Sequence, residues 1–194
     1  MSDEFRMVSV DASNVEDERF FCYKSKPKSE GYQNKLNWLK ARFAEGLRIR
    51  IVYEGKRSVG FIETIPGEST WRVVDAPDYL VVHCLWVVGR GKKKGYGSRL
   101  IESAVEDARQ QGKRGVVMVS SRGNWLAHEK VFVKNGFEVV DEAPPTFKLL
   151  VKKVEPAPDP AFPQDWAQRA AAFGPGITIV YADQCPYMPD AVSQ

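Results

Sequence analysis

Residues 87–100 of this chain read Val-Val-Gly-Arg-Gly-Lys-Lys-Lys-Gly-Tyr-Gly-Ser-Arg-Leu, and their types and spacing suit anion binding. Gly95 and Gly97 let the backbone turn so that N–H groups of Lys92, Lys93, Lys94, Tyr96 and Ser98 can face one point. A helix beginning there adds the positive end of its dipole. Such a nest suits phosphate. Residues able to move a proton are few. The chain has two histidines. His83 stands beside Cys84 in an apolar run, and His128 falls in a short predicted helix. Glu63, in a second apolar run, could orient water as a base. Each also has a plain structural use: a hydrogen-bonded core histidine, a small buried hydrophobe, a solvated polar residue.

These groups need elements to position them. Residues 5–10 predict an edge strand. Tyr32, Leu36, Leu39 and Phe43 recur at helical spacing within 31–46, with Gly46 as a stop. Strands over 48–53 and 58–64 flank Glu54-Gly55-Lys56, a hairpin signal. The run 79–88 is too apolar for a half-exposed strand and should be central. After the glycines, Leu100, Ile101, Ala104, Val105 and Ala108 form one helical stripe. A buried strand over 115–120, a helix over 124–135 ending at Gly136, and strands over 137–140 and 146–154 complete a mixed α/β order. Asn124 and Trp125 follow the fifth strand, where Asn124 also suits a helix cap.

Composition limits the function classes. The chain has 194 residues, 43% hydrophobic and 27% charged, enough for one full core and an extension. Its 28 basic and 25 acidic residues leave a net charge of +3. That balance does not predict a nucleic-acid partner, because the basic cluster is local. The polar, acidic start is not a secretory leader. No apolar stretch nears the roughly 20 residues a bilayer requires. A cytoplasmic protein without a membrane partner is expected. The three cysteines, Cys22, Cys84 and Cys185, predict neither a disulfide frame nor a metal knuckle.

The strand, the pattern Lys92-x-x-Gly95-x-Gly97 and the helix together resemble the acetyl-CoA site of the GNAT N-acetyltransferases. The family usually has Arg or Gln where Lys92 stands. Asn135-Gly136-Phe137 resembles the Gly-Phe that ends the family's last helix, and the element order matches over residues 1–154. The resemblance implies the GNAT acyl-CoA N-acyltransferase fold and an acetyl-CoA-dependent transfer to a primary amine, with acetyl-CoA as co-substrate. It also implies that the pantetheine arm lies beside Leu85, Trp86 and Val87, where the central strand splays from the strand near Met118. Asn124 and Phe132 would add cofactor contacts, and a homodimer is allowed. Many members carry a tyrosine on the last helix that protonates the departing thiolate; that place falls here on Phe132. Either another group donates (His83, Glu63 and His128 are the candidates), or the thiolate leaves unaided, or the protein binds acyl-CoA without turning it over. Trp71 and Arg72 could line an acceptor pocket.

Seven of the twelve prolines follow residue 155. The stretch 155–176, opening Glu155-Pro156-Ala157-Pro158-Asp159-Pro160, predicts a stiff linker. Beyond it, 177–182 predicts a strand, and Cys185-Pro186-Tyr187-Met188 resembles the start of a glutaredoxin active site. Pro186 marks a first helical position, and a cysteine at that helix N-terminus would have a lowered pKa. The whole resembles the thioredoxin-like extension of bacterial YoaP-type family members, with Met188 where a second cysteine would stand. Too short for a thioredoxin fold, the tail either docks on the acetyltransferase body or is part of a longer chain; a redox domain joined to a remnant acetyltransferase is the third reading.

Overall fold

The computed structural model describes residues 5–122 and 126–193. Seven strands form one sheet in the order β1-β2-β3-β4-β5-β7-β6. They are β1 (Phe5–Val10), β2 (Arg48–Glu54), β3 (Arg57–Pro66), β4 (Tyr79–Val87), β5 (Gly115–Ser120), β6 (Glu138–Ala143) and β7 (Phe147–Lys153). The helices are α1 (Val15–Glu18), α2 (Glu30–Phe43), α3 (Tyr96–Gln110), α4 (Glu129–Val133), α5 (Trp166–Ala171) and α6 (Met188–Val192). The predicted edge strand, hairpin and central strand are all present. Every neighbouring pair is antiparallel except β4 with β5. That single parallel pair needs a crossover, which α3 supplies.

The apolar stripe of α3 packs on one face of the sheet with Val52, Ile62, Leu80, Val82 and Met118. Arg50 of β2 clamps Asp107 of α3 through two hydrogen bonds, fixing helix to sheet. On the opposite face, Tyr32 and Leu39 of α2 cover Ile49, Ile51, Phe61 and Ile65. The helix predicted over 124–135 is described only as Glu129–Val133, capped by His128, whose Nδ1 accepts from the Lys130 N–H at 3.2 Å. Asn124 and Trp125 lie outside the described residues.

The C-terminal region departs from expectation in two ways. The proline-rich stretch is extended, but it is docked rather than free. Phe162 is buried with Tyr79, Val117 and Leu149, and Tyr79 donates its hydroxyl to Pro158 O at 2.6 Å. Apolar burial of Phe162 outweighs the freedom a linker would keep. Residues 177–182 form no strand; Ile177 is 96% and Val180 73% exposed. A strand needs a neighbour to satisfy its backbone, and none pairs with this segment among the described residues. The final helix begins at Met188, with Pro189 in its first turn, so Cys185 precedes it by three residues. Among the described residues, no helix is long and apolar enough to cross a membrane.

Candidate active site

Two features of β4 build the site. Its parallel pairing with β5 runs only from Tyr79–Gly115 to Val82–Met118. Beyond that point β5 continues against β7, while the edge of β4 from His83 to Val87 faces a cleft. The second feature is a bulge. Glu63 opposes Cys84, but Thr64 opposes Val82, so His83 is an extra residue on β4. A bulge breaks the alternation of faces. Strict alternation predicts that His83 and Cys84 part company; instead Cys84 packs with the α2 face and His83 lies 3.5 Å from Glu63 on that same side.

The glycine loop sits at one end of this cleft. Lys93 (φ 64°) and Gly95 (φ 81°) turn the backbone left-handed just before α3. The first helical bond of α3 runs from the Arg99 N–H to Gly95 O at 3.1 Å. The N–H groups of Tyr96, Gly97 and Ser98 therefore lie ahead of the ladder, as at any helix start. Gly97 answers whether the loop suits a phosphate. A Cβ there would come no closer to the protein than 4.0 Å, from Val87 Cγ2. Glycine costs about 1 kcal/mol against alanine inside a helix, and nothing within the chain demands it. Its smallness leaves room for something approaching the helix end. Lys92, Lys93 and Lys94 are exposed. The Lys94 and Tyr96 side chains turn back to Glu54 Oε1, at 2.5 and 2.8 Å, so these two residues offer the nest their backbone.

Other predicted cofactor residues divide. Leu85 is buried beneath α3 and Val87 packs beside it, while Trp86 is 49% exposed on the cleft strand. Phe132 is a correction. It is fully buried, edge-on to Phe137 with 5.2 Å between ring centres, because apolar packing under α3 claims it; it is core rather than cofactor wall.

The groups predicted to handle protons are also redistributed. His128 caps α4 and is exposed, away from the other two. Glu63 and His83 do come together, in a buried polar cluster that also holds Lys35 and Gln184. Lys35 Nζ donates to Glu63 Oε2 at 2.6 Å and to Gln184 O at 2.5 Å. Gln184 Nε2 donates to Glu63 Oε1 at 2.9 Å. Burial would raise the Glu63 carboxyl, but Lys35 first and His83 second outweigh it and hold the group at about 2. Burial likewise works against the Lys35 charge, and Glu63 keeps its pKa above the ordinary value. His83 Nε2 meets Thr70 Oγ1 at 2.9 Å, and its buried Nδ1 has only the loose 3.5 Å approach to Glu63. Arg72 donates to His83 O at 2.9 Å and lays its guanidinium over Trp71. Burial pushes the Cys22 thiol up to about 11, and raises Cys84 too, so neither is a ready thiolate. No group of three His, Cys, Asp or Glu residues is placed to hold a metal among the described residues.

Lys35 and Gln184 escaped the sequence reading. For Lys35 there was a signal, because it falls between Tyr32 and Leu39 on the apolar stripe of its helix, where a cation needs a buried partner. Gln184 gave none.

Burial sets a pH dependence. It holds His83 below its ordinary 6.5, against the pull of Glu63. The unfolded chain takes up a proton near 6.5 while the native site resists it. Stability is therefore intact above pH 6.5 and erodes below it. Glu63 acts through a lower window, from 4.5 down to about 2. The melting temperature is expected to fall from pH 6.5 to about 5, and to fall less steeply in His83→Gln. Parallel curves for the two proteins would refute this.

A seven-stranded mixed sheet, splayed beside a glycine loop at a helix start, defines the acyl-CoA N-acyltransferase fold. The family model of the acetyltransferase (GNAT) family matches residues 12–137, and the chain belongs to that family. It is 33% identical over 184 residues to YoaP of Bacillus subtilis (strain 168), described as an uncharacterized N-acetyltransferase; the match covers 93% of this chain and 72% of that one. Among solved structures it is similar to the PaiA N-acetyltransferase of Thermoplasma acidophilum in complex with coenzyme A. That likeness has 15% identity and a TM-score of 0.55, over 77% of this chain and 99% of the other. It is also similar to YncA of Salmonella typhimurium, a proposed acetyltransferase solved with acetyl-CoA. There the identity is 16% and the TM-score 0.56, over 80% and 98%.

Proposed function

We propose that the protein is an acetyl-CoA-dependent N-acetyltransferase that passes the acetyl group directly to a primary amine. One observation carries the reading. The open edge of β4, beyond the Val82–Met118 pair, leads from the nest at the start of α3 to the polar cluster around Glu63. Acetyl-CoA supplies the acetyl group as a thioester already activated toward amines. The N–H groups of Lys93 to Ser98 bind its pyrophosphate, aided by the helix dipole. Backbone groups of Leu85, Trp86 and Val87 hold the pantetheine arm in strand-like fashion, and an N–H of this edge favours charge on the acyl oxygen. Transfer forms a C–N bond and breaks a C–S bond; the amine gives up one proton and the departing sulfur takes one.

Glu63, held at about 2, is a poor proton acceptor with Lys35 and Gln184 on it. It serves as an anchor for a cationic amine. His83 is neutral, with an unpartnered Nδ1 close by, and is the better acceptor of the amine's proton, directly or through water. The protein acts in the cytoplasm, and the extension after residue 155 is part of the same enzyme rather than a redox unit.

A second reading is favoured by Phe132, which puts a buried ring where many family members have a hydroxyl. Here the chain is an acyl-CoA-binding module that scarcely turns over. Thiol release from acetyl-CoA across amino acids, alkylamines, aminoglycosides and peptides tests both. Release that saturates with one amine class is expected. Acetyl-CoA binding with no release from any of them would overturn transfer in favour of the module.

A further inference from the structure

The segment Gln184-Cys185-Pro186 lies over Lys35 and Glu63 like a bound ligand. Gln184 is 6% exposed, yet the tether before it is unpacked, with Ile179 64% and Tyr181 55% exposed. The docked end is held by its own contacts. Tyr23 donates to Asp190 Oδ2 at 2.8 Å and meets Tyr187 edge-on at 4.4 Å. Pro186 O rests so close to α2 that a Cβ on Gly31 would stand 1.9 Å from it.

Beneath this segment two opposite charges are buried together. Buried ion pairs are weak stabilisers, and apolar side chains would close such a gap at less cost. The charges are explained if the groove receives something polar. Gln184 indicates what. Its carbonyl accepts from Lys35, and its side-chain nitrogen donates to Glu63. In glutamine four carbons, Cα to Cδ, separate these two groups. The same spacing separates the carboxylate of ornithine from its side-chain amine; lysine has one carbon more. A carboxylate on Lys35 with an ammonium on Glu63 would also give each member of this ion pair a second opposite charge, which an uncharged amide does not.

We propose that the groove under Gln184–Pro186 is the acceptor pocket, that it takes an amine carried four or five carbons from a carboxylate or carbonyl, and that Gln184 is its resident stand-in. This rests on the acetyl-transfer reading above. The pocket lies next to the cleft, since Glu63 pairs with Cys84 at the β4 bulge. The tail must lift for an acceptor to enter.

Gly31→Ala on the full chain is the lever. Alanine suits the helix, and the three atoms nearest the added methyl all belong to Pro186 of the tail. Tyr23→Phe, which removes one surface contact of the tail, is a milder second lever. Both should speed alkylation of Cys185. Calorimetric binding of L-ornithine, L-lysine, Nα-acetyl-lysine methylamide, glycine and n-butylamine, without acetyl-CoA, then reads the pocket. Ornithine or lysine should bind at least about tenfold more tightly than glycine or butylamine, and Gly31→Ala should tighten binding about tenfold more, as the competent fraction rises. Preference for the methylamide over free lysine would identify a residue within a protein as the source, and the reverse a free amino acid; either supports the proposal. Equal binding of all five, or unchanged Cys185 labelling in both variants, overturns it. Binding of ornithine without thiol release upholds the pocket and overturns transfer; equal release from butylamine and ornithine does the opposite.

Discussion

Gly97→Trp is expected to weaken acetyl-CoA binding by about a hundredfold or more, equivalent to about 2.8 kcal/mol, while leaving the fold intact. The fold tolerates the change because a Cβ at this position meets nothing closer than 4.0 Å, and tryptophan is the better helix former of the two. Ligand binding does not tolerate it. Helical side chains lean toward the N-terminus, so an indole at position 97 lies across the N–H groups ahead of Arg99. Calorimetry with acetyl-CoA, together with a thermal melt, separates the two consequences. An unchanged dissociation constant would mean that the nest does not hold the pyrophosphate. Gly97→Ala should do much less, since one methyl covers little of the helix end.

The second large effect is on stability. Lys35→Met takes from Glu63 its counter-charge in a site where both side chains are nearly inaccessible, so Glu63 must either stay ionised unpaired or take up a proton. Removing one partner of a buried pair costs about 3–5 kcal/mol. For a chain of this size that corresponds to a fall in melting temperature of about 6–20 °C. The double variant Lys35→Met with Glu63→Gln should recover much of the loss, because no buried charge is then left unpaired. A double variant no more stable than Lys35→Met would show that the charge pair is not what Lys35 supports. Gln184→Ala should cost less than Lys35→Met, since Gln184 brings Glu63 a neutral donor rather than a charge.

Much of this molecule was legible residue by residue. The central strand announced itself by an unbroken apolar run, the α3 helix by a stripe at helical spacing, and the loop between them by Gly95, whose positive φ a turn requires. These are local signals, and the nest they build is itself local. Phe132 was legible as lacking a hydroxyl, but not as core. That assignment depends on Phe137 and the underside of α3, which sequence spacing does not bring together.

The polar cluster was legible only in fragments. Glu63 and His83 could be named, but not their state. Lys35 is 28 residues from Glu63 in sequence, and Gln184 is 121 from Glu63 and 149 from Lys35. No periodicity reaches across such distances, because these contacts arise from packing α2 and the tail on one sheet face. The bulge at His83 is a second case. Alternation is a property of a regular strand, and only the register against β3 reveals that one residue is extra. The strand expected at 177–182 failed for the converse reason: β-branched residues supply propensity, but a strand also needs a pairing edge, and the fold offers this segment none among the described residues.

The chain's own order of residues thus determined a mixed sheet, its central strand and a basic, glycine-rich loop at a helix start, since each depends on neighbours a few positions apart. Tertiary structure decided which groups are charged, which are covered, and that the tail lies in the groove beside the cleft, because burial and long-range pairing exist only once the chain is packed.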